Sequence, residues 1–451
     1  MKEEKKKKQI IIKMSKEMSV VHPHAAGIDI GDTEHWIAVE NGEGYEVRRH
    51  DAFTCDLKDI VKWLISIGIT SVAMESTGIY WLALYLMLEE AGIEVYLVNA
   101  KSTKNVTGRK KDDSDAVWIQ KLHRCGLLQK SFQPEHEQRV LRNYVRQRKN
   151  LITIGSDSVR RMQKALELMN IKVHTVISDL LGKSGMSIVT AILNGERNPE
   201  ILAALCDPRI KATKEEIIKS LKARWSDEYL FMLQQAYEGY QFYQKQIKDC
   251  DKKIQEQLLK QVAIVKEGDI TKALQEDSTK KKPKKNQFDF NVADYLRELT
   301  GVDLCKIPGI NEVSALEFLS ETGTDMSKWK NVKHFDAWLN LTPNTKITGG
   351  KVISSKVMKK KNRAGQTLKM SASTLSRNKG PLGDYYRRIR AKLGGKGAVL
   401  ATAHKLARII FVMLKEKKEY NPEMLTESQE KFKLKRIKQL EKQLAKLKQA
   451  A

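Results

Sequence analysis

The chain has 451 residues and a formal net charge of +26 at pH 7, from 81 Lys and Arg against 55 Asp and Glu. Such a length can bury two or three cores, and a balance this basic excludes an ordinary metabolic enzyme in favour of a polyanionic partner. Nucleic acid ranks above a membrane surface, because the cations span the whole chain and no apolar run long enough to cross a bilayer is expected.

Residues 1–20 form a basic tail, Met1-Lys2-Glu3-Glu4-Lys5-Lys6-Lys7-Lys8 at its start, without the apolar stretch of a signal peptide. Export is not expected, and the predicted location is the prokaryotic cytosol. Cys55, Cys125, Cys206, Cys250 and Cys305 are odd in number and contain no Cys-x-x-Cys, which suits reduced thiols rather than a zinc module or disulfide framework. His22 and His24 stand near the first predicted strand, but an ordinary surface role is expected for both.

Residues 21–132 read as an α/β domain. Asp29 ends a short apolar run, and Trp36-Ile37-Ala38-Val39 is its hairpin partner across a turn at Gly31-Asp32. Glu75 closes the run Ser71-Val72-Ala73-Met74, ahead of a helix carrying Leu82, Leu86 and Met87. Val95-Tyr96-Leu97-Val98 is a third run, followed by a basic loop with Lys101, Lys104, Arg109, Lys110 and Lys111. Asp112 and Asp115 then stand at i and i+3, one face of a helix whose apolar residues are Val117, Trp118, Ile119 and Leu122. Any one carboxylate at a strand end or helix start is ordinary. Four in this order are what a metal-dependent nuclease needs, since two Mg²⁺ ions can activate an attacking oxygen and stabilise a leaving one.

Residues 133–265 are helical in texture, with Arg139, Arg142, Arg146, Arg148, Lys149, Arg160 and Arg161 interleaved among apolar positions, a pattern that suits a phosphate backbone or a solvated face. Leu233, Tyr240, Ile247 and Ile254 recur every seven residues, with Ala236, Tyr243 and Cys250 offset by three. This predicts a coiled coil or long helical hairpin; an arm that joins two or four copies is preferred, with pairing inside one chain left open. Residues 266–290, with Lys280-Lys281-Lys282-Pro283-Lys284-Lys285, read as a mobile basic linker.

Residues 291–415 form a mainly α domain. Ile307-Pro308-Gly309-Ile310, before a helical pattern through Val313, Leu316, Phe318 and Leu319, resembles a helix-hairpin-helix turn, although a simple tight turn would use the same residues. Residues 337–383 contain no Asp or Glu but carry Lys346, Lys351, Lys356, Lys359, Lys360, Lys361, Arg363, Lys369, Arg377 and Lys379, which argues for contact with phosphates. Within it, Thr348, Ser354 and Ser355 lie in a Gly- and Lys-rich loop, where a hydroxyl is a turn residue or a nucleophile. Residues 416–451 form a basic helical tail.

Gly27-Ile28-Asp29-Ile30-Gly31, Met74-Glu75-Ser76-Thr77-Gly78 and Gly108-Arg109-Lys110-Lys111-Asp112-Asp113-Ser114-Asp115 resemble the DEDD motifs of the transposases of insertion-sequence family 110. Ile307-Pro308-Gly309-Ile310, Leu339-Asn340-Leu341-Thr342-Pro343 and Ile347-Thr348-Gly349-Gly350-Lys351 are similar to that family's C-terminal domain, and His404-Lys405-Leu406-Ala407-Arg408 looks closest to its subgroup 1111. The resemblance implies a RuvC-like domain of ribonuclease-H type, a coiled-coil middle and a C-terminal transposase domain. It also implies an RNA-guided recombinase, directed by a structured bridge RNA and acting on donor and target DNA as a dimer or tetramer. By that likeness Asp29, Glu75, Asp112 and Asp115 hold Mg²⁺, for which Mn²⁺ can substitute, and a C-terminal hydroxyl forms a covalent link to DNA. The family's serine precedes Gly, a place held here by Thr348, so Thr348 or the pair Ser354 and Ser355 takes the role, the serines favoured on chemical precedent. Arg109, Lys110, Lys111, Lys346, Lys351, Lys356, Lys359, Lys360, Lys361 and Arg363 are the expected nucleic-acid contacts. Two rivals remain: a RuvC-like nuclease or junction resolvase that cleaves with water, and a non-enzymatic scaffold.

Overall fold

A computed structural model of the chain describes residues 19–42, 44–99, 115–266, 286–358 and 361–423, together with Leu434, Ile437 and Glu441. Arg109, Lys110, Lys111, Asp112, Lys359, Lys360, nearly all of the N-terminal tail, most of the C-terminal tail and most of the expected linker lie outside the described residues. The chain divides into two compact units, Met1–Gln133 and Pro134–Ala451.

In the first unit, β1 (Ala25–Ile30), β2 (Glu34–Glu40) and β3 (Tyr45–Asp51) form an antiparallel meander. After α1 (Thr54–Ser66), β4 (Ser71–Glu75) returns parallel beside β1, and after α2 (Trp81–Glu90), β5 (Glu94–Val98) runs parallel to β4. The sheet order is β3-β2-β1-β4-β5, the ribonuclease-H-type arrangement expected for this half. Alternation decides its two faces. Ala26, Ile28, Ile30, Ile37, Val39, Val72, Met74, Val95 and Leu97 point to the side covered by Leu57, Ile60 and Leu64 of α1 and Leu84 and Leu88 of α2. On the other side Ala73 and Val98 meet Trp118, Ile119 and Leu122 of α3 (Asp115–Arg124). The β3 edge is charged, with Arg48, Arg49 and Asp51 exposed, which discourages pairing with another strand. β3 and α1 are the elements of this unit that the sequence reading left undrawn.

In the second unit, α4 (His136–Leu168) and α8 (Asp227–Lys266) lie antiparallel. They pack closely at two glycines: a Cβ on Gly155 would sit 3.5 Å from Tyr243, and one on Gly239 would sit 3.3 Å from Ser158. Between them in sequence, α5 (Lys183–Leu193), α6 (Pro199–Ala204) and α7 (Lys214–Ser220) close one end of the pair over Met162, Leu166, Leu233 and Ala236. Leu233, Ile247 and Ile254 of the heptad seam are thus buried within a single chain, and the preferred intermolecular use of that seam gives way to pairing with α4. Near mid-length, Arg148 and Asp251 form a buried ion pair. Arg148 also donates to the carbonyls of Asn286 and Gln287, and its guanidinium lies 3.9 Å from the Phe288 ring centroid. Residues 286–288 are thereby held on the α4–α8 pair.

The rest is helical apart from one hairpin: α9 (Val292–Thr300), α10 (Glu312–Thr322), α11 (Val332–Trp338), β6 (Asn344–Thr348), β7 (Lys351–Lys356), α12 (Arg363–Thr374) and α13 (Pro381–Glu416). Ile310 N–H donates to Ile307 O at 3.0 Å, and Gly309 has φ +88°, so Ile307-Pro308-Gly309-Ile310 is a tight turn with Pro and Gly at the central positions that a type II turn favours. A Cβ at Gly309 would also come 3.0 Å from Ser371 O of α12, so packing as well as turn geometry calls for glycine there. α13 breaks at Gly394, and among the described residues it is the one helix long and apolar enough to cross a membrane, with a stretch of mean hydropathy 1.6 that is half buried. This corrects the expectation that no such run exists. Its apolarity is used inside the unit, where Leu406, Ala407, Ile410 and Phe411 are buried and Phe411 packs on Phe335 of α11.

Candidate active site

β1 and β4 run parallel in the register Gly27↔Ala73 and Ile28↔Met74, so one further step sets Asp29 beside Glu75 on the same sheet face. That is the face under α3. A Cβ on Gly27 would fall 2.3 Å from both Ala116 O and Gln120 N, so the helix lies directly on β1 at a place only glycine leaves open. Gln120 Nε2 donates to Ala25 O, so α3 runs antiparallel to β1 and its first residue, Asp115, points back towards the end of β1 that carries Asp29. Asp29 and Glu75 are half-buried and Asp115 is exposed. The structure thus gathers three of the four expected carboxylates at one end of one face, and the fourth, Asp112, lies outside the described residues.

The donor set is all carboxylate oxygen, which suits a hard divalent cation. Among the described residues, however, no three His, Cys, Asp or Glu side chains are close enough to hold an ion by themselves. The Asp29 charge is felt nearby: burial pushes the pKa of His35 down, while a hydrogen bond to Glu34 and the Asp29 carboxylate pull it back up. His22 and His24 are not at this site. His24 precedes the first residue of β1, about 16 Å of strand from Asp29 at roughly 3.3 Å per residue, and His22 stacks on His123 with ring centroids 4.4 Å apart.

The three candidate hydroxyls stand in the second unit, on the β6–β7 ribbon rather than on the loop expected. Gly349 and Gly350, with φ +55° and +77°, make its two-residue turn. Pairing runs Thr348↔Lys351 and Ile347↔Val352, then a bulge at Ile353 shifts it to Lys346↔Ser354, Thr345↔Ser355 and Asn344↔Lys356. Paired residues share a face, so Thr348 and Ser354 lie with Lys346, Lys351 and Lys356. Ser355 lies on the other face with Thr345, whose hydroxyl is 3.3 Å away, and with the exposed Ile347 and Val352. Thr-Lys-Ile-Thr-Gly-Gly-Lys-Val-Ile is itself a hairpin signal, alternation around a Gly-Gly turn, and would have given the ribbon from sequence.

Lys361 and Arg363 bracket Asn362, whose side chain accepts from Gly365 N–H and caps α12. One charged cluster was only partly signalled in the sequence: Asp336 of α11 is buried, its Oδ2 lies 2.9 Å from His404 Nε2 and 3.9 Å from Arg408 Nε of α13. These residues fix α13 on α11; His404 and Arg408 belong to the segment that resembles the family, and Asp336 is the member without a sequence signal.

The profile for DEDD transposases of the IS110 type, described as a transposase, matches residues 26–171, a span that contains Asp29, Glu75, Asp112 and Asp115. A second profile, for the transposase IS116/IS110/IS902 family, matches residues 303–387, which contain the Pro-Gly turn and the hydroxyl-bearing ribbon. No curated protein matches the chain. The two matches together cover about half of the 451 residues, in the order in which the structure places an α/β carboxylate unit and a helical basic one. By these matches the chain belongs to the IS110 family of transposases, enzymes of DNA phosphoryl transfer.

Proposed function

We propose that this transposase is an RNA-guided recombinase that excises and integrates its element through a covalent protein–DNA intermediate. The observation that carries the reading is the alignment of Asp29 with Glu75 on neighbouring parallel strands, with Asp115 opening the helix packed on that face. Asp29, Glu75, Asp112 and Asp115 would hold Mg²⁺ or Mn²⁺, which when bound supplies Lewis acidity towards phosphate oxygens. In the same reading a hydroxyl oxygen of the ribbon attacks phosphorus, the P–O bond to the departing strand end breaks, and the phosphodiester energy is kept in the protein–DNA ester for religation without ATP. Of the three hydroxyls, Thr348 and Ser354 share a face with lysines able to neutralise the charge developing on phosphorus, and Ser354 has the less hindered oxygen. We therefore assign the nucleophile to Ser354, ahead of Thr348 and Ser355.

Guidance by a bridge RNA, membership of subgroup 1111 and a dimeric or tetrameric state rest on the motif resemblance. Any such assembly would use surfaces other than the Leu233–Ile254 seam, and light scattering of the purified protein measures it. The deciding experiment incubates the protein and its co-purifying RNA with element-junction DNA and Mg²⁺, and looks for a denaturation-resistant, protease-sensitive adduct. Wild type and Ser355→Ala should form it, Ser354→Ala should not, and prior ribonuclease treatment should abolish it. Loss in Thr348→Ala instead moves the nucleophile to the turn. Cleavage with no adduct in any variant would mean attack by water, as in a junction resolvase.

A further inference from the structure

A cleft of about 470 Å³ lies within the second unit, between α4, α10 and the start of α12. Its walls carry four cations, Arg146, Lys149, Lys361 and Arg363, against two carboxylates, Glu317 and Glu321. Arg146 is held edge-on by Glu321, Nε to Oε1 at 2.7 Å and Nη2 to Oε2 at 2.6 Å. Lys149 Nζ is 2.7 Å from Glu317 Oε2, which also accepts from Thr367 Oγ1 at 3.1 Å. The carboxylates are the more buried partners, Glu321 at 11% exposure against 35% for Arg146, and Glu317 at 20% against 51% for Lys149. Each cation is therefore anchored from inside and turned outwards. Lys361 and Arg363, both exposed on the opposite wall, form no ion pair among the described residues.

One turn before Arg146 on α4, Arg142 has a buried Nε without a hydrogen-bond partner, and burial, with the Arg146 charge adding to it, pushes its pKa down to about 10. The four cations of the cleft walls outnumber the two glutamates, so the cleft keeps a net positive charge. A guanidinium locked through one edge keeps its remaining N–H groups free and oriented, which lowers the entropy lost on binding a phosphate.

We propose that this cleft seats the phosphodiester backbone of a DNA strand, with phosphates bridging from Arg146 and Lys149 to Lys361 and Arg363. Glu321 and Glu317 are positioning residues that aim the first two cations. The inference rests on the reading of the chain as an enzyme that acts on DNA, and deepens it by giving the strand a place between α4 and the helices α10 and α12.

The test measures the affinity of the full-length protein for a labelled DNA duplex of about 30 base pairs across a salt series, where each phosphate contact contributes about 0.9 to the slope of log K against log salt. Lys361→Gln with Arg363→Gln should lower that slope by about 2 and weaken binding about tenfold or more at moderate salt. Lys211→Gln with Lys214→Gln, the same charge change on exposed residues away from the cleft, should alter it little. Glu321→Gln should weaken binding several-fold although it removes a negative charge. Equal effects of the two double variants, or tighter binding by Glu321→Gln, would overturn the seat. A loss confined to single-stranded RNA of equal length would overturn its assignment to DNA. Absence of duplex binding by the wild type would remove the DNA reading itself and this inference with it, whereas strong wild-type binding with an unchanged slope in the cleft variant would remove the inference alone.

Discussion

His123 is a buried imidazole on α3 whose Nε2 lies 2.6 Å from Ser71 Oγ and whose Nδ1 has no partner. Burial first, then the neighbouring His22, depresses its pKa to about 4. In the unfolded chain the same group titrates near the ordinary histidine value of about 6.5, so the unfolded state takes up the proton first as pH falls. Stability is therefore complete above about pH 6.5 and declines towards pH 4, by up to about 3 kcal/mol from this residue. Urea denaturation at several pH values should show that decline in wild type and a flatter profile in His123→Gln. Equal acid sensitivity of the two proteins would remove His123 as the cause.

At the scale of elements, the docking of α3 on β1 is the contact that brings Asp115 to Asp29. Gly27→Ala places a methyl group against backbone atoms of Ala116 and Gln120 that have no side-chain freedom to retreat. An overpacked contact of this kind costs about 1–3 kcal/mol, and the helix must lift to accept it. Denaturation should register that loss, with DNA cleavage falling more than folding does; a variant as stable and active as wild type would show that α3 does not depend on this contact. The strands holding Asp29 and Glu75 were legible in sequence because buried parallel strands are short, continuous apolar runs. β3 was not, since Tyr45-Glu46-Val47-Arg48-Arg49 is a partly exposed edge with one aliphatic residue. The β6–β7 ribbon was hidden by its own polarity: glycines, lysines and hydroxyls read as a loop when no core face is present to reveal alternation. The heptads of α8 mark positions that the fold buries, among them Leu233, Ile247 and Ile254, but a seven-residue repeat carries no information on whether the partner helix belongs to the same chain.

For the whole molecule, the candidate carboxylates and the acid-free basic segment belong to different compact units. Holding DNA and cutting it should then be separable. Asp29→Asn should abolish cleavage while DNA affinity and its salt dependence stay within about twofold of wild type, because the basic surface that releases counterions is untouched. Gel-shift titration and a cleavage assay on the same preparation check both halves of the statement; retained cleavage would remove Asp29 from the site. The membrane-length helix α13 belongs to the same scale. A stretch of hydropathy 1.6 reads as a bilayer span only until its neighbours are known, and here α12 and α11 pack on it and leave it half buried.

The bulge at Ile353 sets the phase of the ribbon. Counted strictly by twos from Lys351, Ser355 would stand with the lysines and Ser354 would be turned away; the one unmatched residue reverses that parity for everything after it. The chemistry available to this surface is thus fixed by the number of residues between the glycine pair and the serines as much as by their identity. An insertion or deletion of one residue there would exchange the faces of the two hydroxyls without changing either.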